Sequence, residues 1–528
     1  MTATTSASPS ATAARMRPVP VSRLVDALRE AGQLHGIVGT PPDAVFDLVD
    51  DSRRVTPGSA FLAVQGATQD GHAWLPKARE AGATLFIVEN RDAALAEGVP
   101  ALVVQDGRRS AAIAAAAFHD WPARSLTLVA VTGTNGKTTT VGLLRHLLDS
   151  AERPAASIGT LGVLLGSVGV EVPGGQGLTT PGPVELQRLL RLLVDRGVKT
   201  VSMETSSHAL HQHRVDGVLF AAAVFTNLTR DHLDYHGTMD AYRDAKLELL
   251  ALLAPDGVAC FNGDDPAWRG VNGPVRRVLF GTAADADVRA RDVVFGATGS
   301  RFTLTTPMGQ HEVSLPLIGD FNVANALGAA AAAEALGLTV AEIAMKLSQA
   351  PQVPGRLERL HTAPTVLRDY AHTPDALERA LEAVRPFTTR PDGAPSRLIV
   401  LFGCGGDRDR GKRPVMGAIA ERLADVTIVT SDNPRTEDPG QILDDIEAGM
   451  TRTDHLRIVD RREAIAAALR LAAPHDVVVL AGKGHETYQI RGTTAYPFDE
   501  RQIVQEIVQE LVHESARDSA REPGMNAT

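Results

Sequence analysis

Thr132-Gly133-Thr134-Asn135-Gly136-Lys137-Thr138-Thr139 follows the apolar run from Leu126 to Val131. A β-branched strand running into two glycines, whose missing side chains let backbone N–H groups approach an anion, predicts a phosphate-binding loop. A helix opens directly after it, with Val141, Leu144, Leu147 and Leu148 along one face. Lys137 would meet the terminal phosphates of a nucleotide, and Thr138 its metal. The position five before Gly136 is Val131, where the general Walker signature carries glycine, and this departure narrows the choice of family. Gly-Lys-Thr alone is often just a helix start. Strand, glycines and helix together read as a nucleotide phosphate site.

The chain around this loop is long and ordinary in composition. Its 528 residues exceed what one core usually supports, so about three domains are expected. Hydrophobic content of 44% with 22% charged residues fits a soluble globular protein, and strands alternating with helices predict α/β architecture throughout. No apolar run is long enough to span a membrane. A net charge of -10 argues against nucleic acid as a partner, so basic residues near anionic ligands must act locally. Cys260 and Cys404 are the only cysteines and form no metal-type pair, as expected of reduced thiols in a cytoplasmic protein. Residues 1–20, rich in Ala, Thr and Ser without a hydrophobic segment, and residues 514–528 are expected to be disordered tails.

Between the tails we predict a small N-terminal α/β domain over 21–121, a central domain over 122–350 and a C-terminal domain over 351–513. In the first, Asp51-Ser52-Arg53 and the stretch Gly66 to His72 offer hydroxyl, amide and backbone groups suited to a polar ligand, although capped turns have the same composition. In the second, apolar strands run into Glu204-Thr205-Ser206-Ser207-His208 and into Asn227 to His236. Ligands of open α/β sheets gather at such strand ends. Glu204 and His232 would converge on one Mg²⁺, which takes a carboxylate and few protein ligands. His232 and His236, four apart, would suit zinc if both lay on a helix, and the Ser207 to Arg214 segment reads equally well as a solvated loop. Lys246 is by default a solvent-facing helical lysine. Asn322 would cap the helix opened by Gly319-Asp320-Phe321, and Asn325, one turn further, carries an amide able to read an adenine edge. In the third domain, strands Leu398 to Phe402, Val426 to Thr430 and Val477 to Leu480 run into polar loops. Arg408 and Arg435 on two of these loops match two carboxylates, because guanidinium is a rigid charged fork. Glu486 adds a negative group for an ammonium.

Together these motifs resemble the Mur ligase family of ATP-dependent amide-forming enzymes, over nearly the whole chain. The resemblance rests on Thr132 to Thr139, Thr179-Thr180-Pro181, Glu204 to His208, Asn227 to Tyr235, Lys246, Asn322 to Asn325, Asp369-Tyr370-Ala371-His372, Asp432 to Arg435 and Gly482 to Glu486. It implies a central P-loop-type ATPase sheet with helices on both faces and a Rossmann-like C-terminal domain. It implies that Ser52, Ala67, Thr68 and Gln69 hold a UDP end, and that Thr179, Thr180, Ser206, Gln212 and Arg214 hold a muramoyl-dipeptide. Leu178 stands where relatives often carry Asn. ATP would be met by Gly133, Thr134, Asn135, Gly136, Lys137, Thr138, Thr139, Asn325, Arg356 and Asp369. Mg²⁺ would be held by Thr138, Glu204, His232 and Lys246, the last as a carbamate, so that Lys137, Lys246, Glu204 and His232 form the catalytic set. Arg408, Asp432, Asn433, Pro434, Arg435, Gly482 and Glu486 would bind diaminopimelate.

The activity so implied joins diaminopimelate to the D-glutamate γ-carboxylate of UDP-N-acetylmuramoyl-L-alanyl-D-glutamate through an acyl phosphate, in peptidoglycan precursor synthesis, by a monomer. Alternatives are the same scaffold adding lysine or another amino acid, a folylpolyglutamate-type ligase, a zinc hydrolase, and a switch protein that uses ATP only to change shape.

Overall fold

The computed structural model describes residues 18–521 apart from 67–68, 176, 272, 274, 297 and 389–395. The chain divides into two compact units, one of Met1–Lys137, Leu148–Phe261 and Asp265–Val278, the other of Thr138–Leu147, Asn262–Asp264 and Leu279–Thr528.

The first unit opens with a five-stranded sheet: β1 (Leu34–Val38), β2 (Asp47–Val49), β3 (Ser59–Ala63), β4 (Leu85–Val88) and β5 (Ala101–Val104), in the order β1-β5-β4-β3-β2. All but β1 run parallel to their neighbours. Successive residues of these strands feed opposite cores, Leu62 and Ile87 on one side and Phe61 and Phe86 on the other. That two-sided burial explains why the strands read as continuous apolar runs. The helix Gly107–Phe118 starts on Asp106, whose carboxylate accepts from Arg108 N and Arg109 N. It packs against the helix Pro183–Asp195, and Val184 of the latter joins the same core.

Seven further strands of this unit are β6 (Thr127–Thr132), β7 (Ala155–Gly159), β8 (Gly162–Leu165), β9 (Val170–Val172), β10 (Thr200–Glu204), β11 (Phe220–Phe225) and β12 (Leu253–Asn262), in the order β9-β8-β7-β10-β6-β11-β12. From β7 to β12 the pairing is parallel, whereas β8 and β9 are antiparallel additions. The glycine loop leaves the carboxyl end of β6 between β10, which ends on Glu204, and β11, which leads to Thr226 and Asn227. The apolar run Leu126 to Val131 thus lies within one residue of β6.

β13 (Arg276–Gly281) enters the second unit at Leu279, and there β14 (Val288–Gly296), β15 (Gly299–Thr306) and β16 (Gly309–Leu315) are followed by the helix Asp320–Ala335. A six-stranded sheet then forms from β17 (Glu358–Thr362), β18 (Thr365–Asp369), β19 (Leu398–Phe402), β20 (Val426–Val429), β21 (Leu456–Arg457) and β22 (Val477–Ala481). Its order, β17-β18-β22-β19-β20-β21, is parallel except at β17. Leu367, Val400, Phe402 and Val479 fill one face and Val366, Ile399, Leu401 and Val478 the other. Three neighbouring strand ends, those of β22, β19 and β20, therefore carry the polar loops seen in the sequence. The last helix, Glu500–Arg521, runs through residues 514–521, where the composition predicts a disordered tail. Its first turns bury Ile503, Val504 and Ile507, and a helix nucleated by such packing propagates at little cost. At the other end, Val19 and Pro20, predicted to belong to the tail, pair with Val45 and Ala44; residues 1–17 lie outside the described residues. Among the described residues no helix is long and apolar enough to cross a membrane.

Candidate active site

The loop after β6 is shaped by Gly133. Its φ is +146°, and a Cβ there would lie 1.9 Å from Thr226 Oγ1, so no other residue fits without displacing β11. Asn227 clamps the loop: its Oδ1 accepts from Asn135 N at 2.9 Å and its Nδ2 donates to Asn135 O at 3.1 Å. Thr134 N donates to Asn227 O, while Thr226 Oγ1 donates to Asn135 O at 2.7 Å. Gly136, at φ +85°, starts the helix Lys137–Leu148, so Lys137, Thr138 and Thr139 form its first turn. The Lys137 amine folds back on the carbonyls of Gly133 and Thr134, 2.9 and 2.8 Å away.

Lys246 overturns its default reading. It is 1% exposed, with Nζ donating to the same Gly133 carbonyl at 2.9 Å and lying 4.3 Å from the Tyr242 ring centre. Burial, and then the Lys137 charge, push its amine well below the usual lysine range. Two ammonium groups on one carbonyl would lie within about 6 Å of each other, a repulsion that deprotonating one relieves.

Glu204, 2% exposed, accepts from Thr160 N at 2.8 Å and Thr160 Oγ1 at 3.2 Å. An added Cβ on Gly159 would meet its Oε1 at 2.3 Å. Thr160 was not legible in the sequence, since its partner lies 44 positions away. His232 has φ +53° and precedes the short helix Leu233–His236 rather than lying within it. His232 and His236 therefore do not share a helical face, and the His236 Nε2 is paired with Ser207 Oγ at 3.0 Å. Among the described residues no three His, Cys, Asp or Glu side chains gather to hold a metal, as a protein-ligated zinc site requires. A carboxylate on an adjacent strand end and an imidazole still suit magnesium, which keeps several waters. His208, its ring tilted 34° to that of Tyr235 at 4.2 Å and edge-on to His232 at 4.7 Å, is pushed down to about 4 by burial and by neighbouring His232 and His236, so it is neutral. Of the segment Ser207 to Arg214, read as a possible solvated loop, Ser207–His211 is a short helix capped by Ser206 Oγ, and turn follows it.

Thr180, Ser206, Gln212 and Arg214 come together. Thr180 Oγ1 donates to Glu204 O at 2.9 Å and accepts from Ser206 N at 3.0 Å. Arg214 Nη1 donates to Thr180 O and its Nη2 to Gln212 Oε1, and Gln212 Nε2 reaches the Tyr235 hydroxyl. The Thr179 hydroxyl lies 3.4 Å from Thr160 Oγ1. Leu178 is half exposed. Ser52, buried, follows β2, and Gln69, whose carbonyl accepts from Gly66 N, follows β3. Ala67 and Thr68 lie outside the described residues.

In the second unit Asn322 does not cap its helix. Gly319 holds that position, and Asn322, inside the first turn, donates from Nδ2 to Ile318 O at 2.8 Å. Its Oδ1 accepts from Asn325 Nδ2 at 3.1 Å, and Asn325 Oδ1 accepts from Thr140 Oγ1 at 3.4 Å. Arg356 Nη2 donates to Thr138 Oγ1 at 3.3 Å while its guanidinium lies 4.8 Å from the Tyr370 ring centre. Asp369 accepts from Leu357 N at 2.7 Å. Burial pushes its carboxyl up to about 6, against the opposing effect of Arg356.

Arg408 and Arg435 both border Gly405, where an added Cβ would lie 2.9 Å from Arg435 Nη1 and 3.8 Å from Arg408 Cγ. Arg408 is exposed, and Arg435 Nη1 donates to Gly406 O. Asn433 Nδ2 donates to Glu486 Oε2 at 2.9 Å, which joins the Asp432–Arg435 loop after β20 to the Gly482–Glu486 loop after β22. Asp432 and Asn433 are buried, and Pro434 O would collide with any Cβ on Gly406. Lys483, which has no role in the sequence expectations, is fully buried among them.

Comparison with known proteins gives three successive family matches: the Mur ligase family catalytic domain over residues 49–120, the Mur ligase middle domain over 131–333 and the Mur ligase glutamate ligase domain over 355–484. The UDP-N-acetylmuramoyl-L-alanyl-D-glutamate--2,6-diaminopimelate ligase of Geobacillus thermodenitrificans is 45% identical, covering 88% of this chain and 95% of that protein. Its namesake from Gloeobacter violaceus is 44% identical over 92% of this chain and 98% of its own length. A solved structure of a ligase with the same name superposes with a TM-score of 0.63 at 33% identity, covering 90% of this chain and 97% of the other.

Proposed function

We propose, on the premise that this chain belongs to the Mur ligase family, that it is an ATP-dependent ligase adding meso-diaminopimelate to UDP-N-acetylmuramoyl-L-alanyl-D-glutamate. The observation that carries this reading is the likeness, at 45% identity across almost both full lengths, to ligases of that name. The reaction serves peptidoglycan precursor synthesis, and with it cell-wall growth, shape and division, in the cytoplasm.

The chemistry starts from a carboxylate, a poor acyl donor because its oxygen cannot leave. Transfer of the ATP γ-phosphoryl to the D-glutamate γ-carboxylate gives an acyl phosphate. The amine of diaminopimelate attacks the acyl carbon, the C–N bond forms, the amine proton is lost, and the tetrahedral intermediate expels phosphate. Such transfers depend on positioning and charge neutralisation. Gly133 to Thr139 cradle the phosphates with backbone N–H groups, and Lys137 offsets their charge. Magnesium, when bound, neutralises the crowded phosphate oxygens. Glu204, His232 and Lys246 are its proposed ligands, with the Thr138 hydroxyl. An ammonium is no ligand, so Lys246 serves only after its neutral amine adds to CO₂ and loses a proton, giving an anionic carbamate oxygen. The low pKa of this buried amine supports that step. Asn325, Arg356 and Asp369 would hold the rest of ATP. Thr179, Thr180, Ser206, Gln212 and Arg214 would hold the muramoyl-dipeptide, and Ser52 and Gln69, with Ala67 and Thr68, its UDP end.

Amino-acid choice falls to Arg408, Arg435, Asp432, Asn433, Pro434, Gly482 and Glu486. Lysine lacks the distal carboxylate of diaminopimelate and would leave an arginine of the site without its carboxylate, and a site that strands a polar group in this way can discriminate by roughly 10⁴-fold. The direct test is mass analysis of the nucleotide product after incubation with ATP, magnesium, UDP-dipeptide and meso-diaminopimelate. A product heavier by one diaminopimelate residue is expected; unchanged UDP-dipeptide refutes the assignment.

A further inference from the structure

Lys483 is 0% exposed although it sits in a loop beyond a strand end. Its Nζ donates to Asn433 Oδ1 at 3.2 Å and to Glu486 Oε2 at 3.1 Å, and lies 3.5 Å from Asp432 Oδ1. The rings of Tyr488 and Phe498 each stand 5.9 Å from it. A buried ammonium persists only where charge and hydrogen bonds compensate it, and here two carboxylates and an amide oxygen do so.

The identity of the atoms gives this lysine more than a packing role. Asn433 Oδ1 also accepts from Ile490 N at 2.9 Å, so two donors hold that oxygen and the amide cannot turn over. Nδ2 is thereby aimed at Glu486 Oε2, which receives Asn433 and Lys483 together. Among the described residues no donor pairs with the other oxygen, Oε1, and the Glu486 side chain keeps 16% exposure. The backbone of the same two loops is tied by another buried cation. Arg461 Nη1 donates to Ser431 O at 3.3 Å and Nη2 to Ala481 O at 2.9 Å, while Nε donates to Glu500 Oε1. Ser431 and Ala481 immediately precede Asp432 and Gly482.

We infer that Lys483 is a positioning residue for selection of the incoming amino acid. It fixes one orientation of the Asn433 amide and one oxygen of Glu486, so that Glu486 Oε1 is presented to a substrate ammonium. This deepens the function proposed above and rests on it.

The test is steady-state kinetics of the full-length enzyme carrying Lys483→Met, varying diaminopimelate, ATP and UDP-dipeptide in turn. Displacing the acceptor by about 1 Å predicts a KM for diaminopimelate raised on the order of 10²-fold. KM for ATP and for UDP-dipeptide should stay at wild type. A purely structural lysine would lower the active fraction, and so apparent kcat, with all three KM values unchanged; that result overturns the inference. If Lys483→Met does not fold, Lys483→Arg decides, because it keeps the charge but cannot hold both oxygens in place. A smaller rise confined to the diaminopimelate KM is expected, and an unchanged value refutes the role. A wild-type enzyme that accepts a different amino acid refutes the substrate assignment instead, and the KM of that amino acid in the variants then decides the role of Lys483.

Discussion

Two buried ionisable side chains, Lys246 and Asp369, carry the sharpest consequences at the residue scale. The Lys246 amine is held well below its usual range by burial and by Lys137, which favours the neutral form, the one able to add CO₂. Lys246→Ala should abolish ligation, and millimolar short-chain carboxylic acid should restore part of it by filling the vacated anionic position; wild-type turnover without added acid would contradict the carbamate. Asp369 has the opposite problem, since burial lifts its carboxyl from 3.8 to about 6. A raised carboxyl binds its proton more tightly in the fold than in the unfolded chain. Its contribution to stability is thus fully present below about pH 4 and lost as pH rises through about 6, some 3 kcal/mol in all. Asp369→Asn removes this dependence. The Tm of the variant should gain on wild type between pH 4.5 and 7.5, while activity falls; a constant Tm gap would contradict the buried charge. Neither consequence was legible in the sequence. Lys246 reads as a solvent-facing helical residue because its burial is set by Tyr242 and the Gly133 carbonyl, and the latter lies 113 positions away.

Strand ends are where local sequence and tertiary structure agree. The apolar runs ending at Thr132, Glu204 and Phe225 were visible because parallel strands covered on both faces leave few polar positions, and the loops that follow are polar because they face solvent or ligand. The helix opening at Asp320 shows the limit of such reading. Asn322 has a cap residue's chemistry, but Gly319, at φ +99°, already turns the chain, so the asparagine enters the first turn and bonds back to Ile318. For the glycine loop, Gly133→Ala should cost ATP affinity by at least tenfold, measured by titration of the nucleotide, because the new methyl collides with Thr226 and displaces the amides that meet the phosphates. Affinity equal to wild type would mean that the loop does not bind ATP in this conformation. For the loops after β19 and β20, Arg435→Ala should narrow the preference for diaminopimelate over lysine, read as the ratio of the two kcat/KM values. An unchanged ratio would remove Arg435 from amino-acid choice.

Across the whole molecule, the order of motifs along the chain was legible, whereas the pairings that build the site were not. Thr160 with Glu204 and Thr138 with Arg356 join residues 44 and 218 positions apart, and no periodicity or turn signal reports such contacts. Lys483 was hidden for a related reason, because a lysine between glycines looks solvated until strands β20 and β22 enclose it with Asp432 and Glu486. The likeness to diaminopimelate ligases covers 88% of the chain, so one demand falls on the entire molecule: ATP must be consumed only when both the UDP-dipeptide and the correct amine are present. Phosphate release from ATP and magnesium, measured with UDP-N-acetylmuramoyl-L-alanyl-D-glutamate and a panel of amino acids, tests that demand most directly. Sustained release with meso-diaminopimelate, and little with lysine or with no amino acid, is predicted. Release at the same rate whether or not an amino acid is present would contradict the ligase.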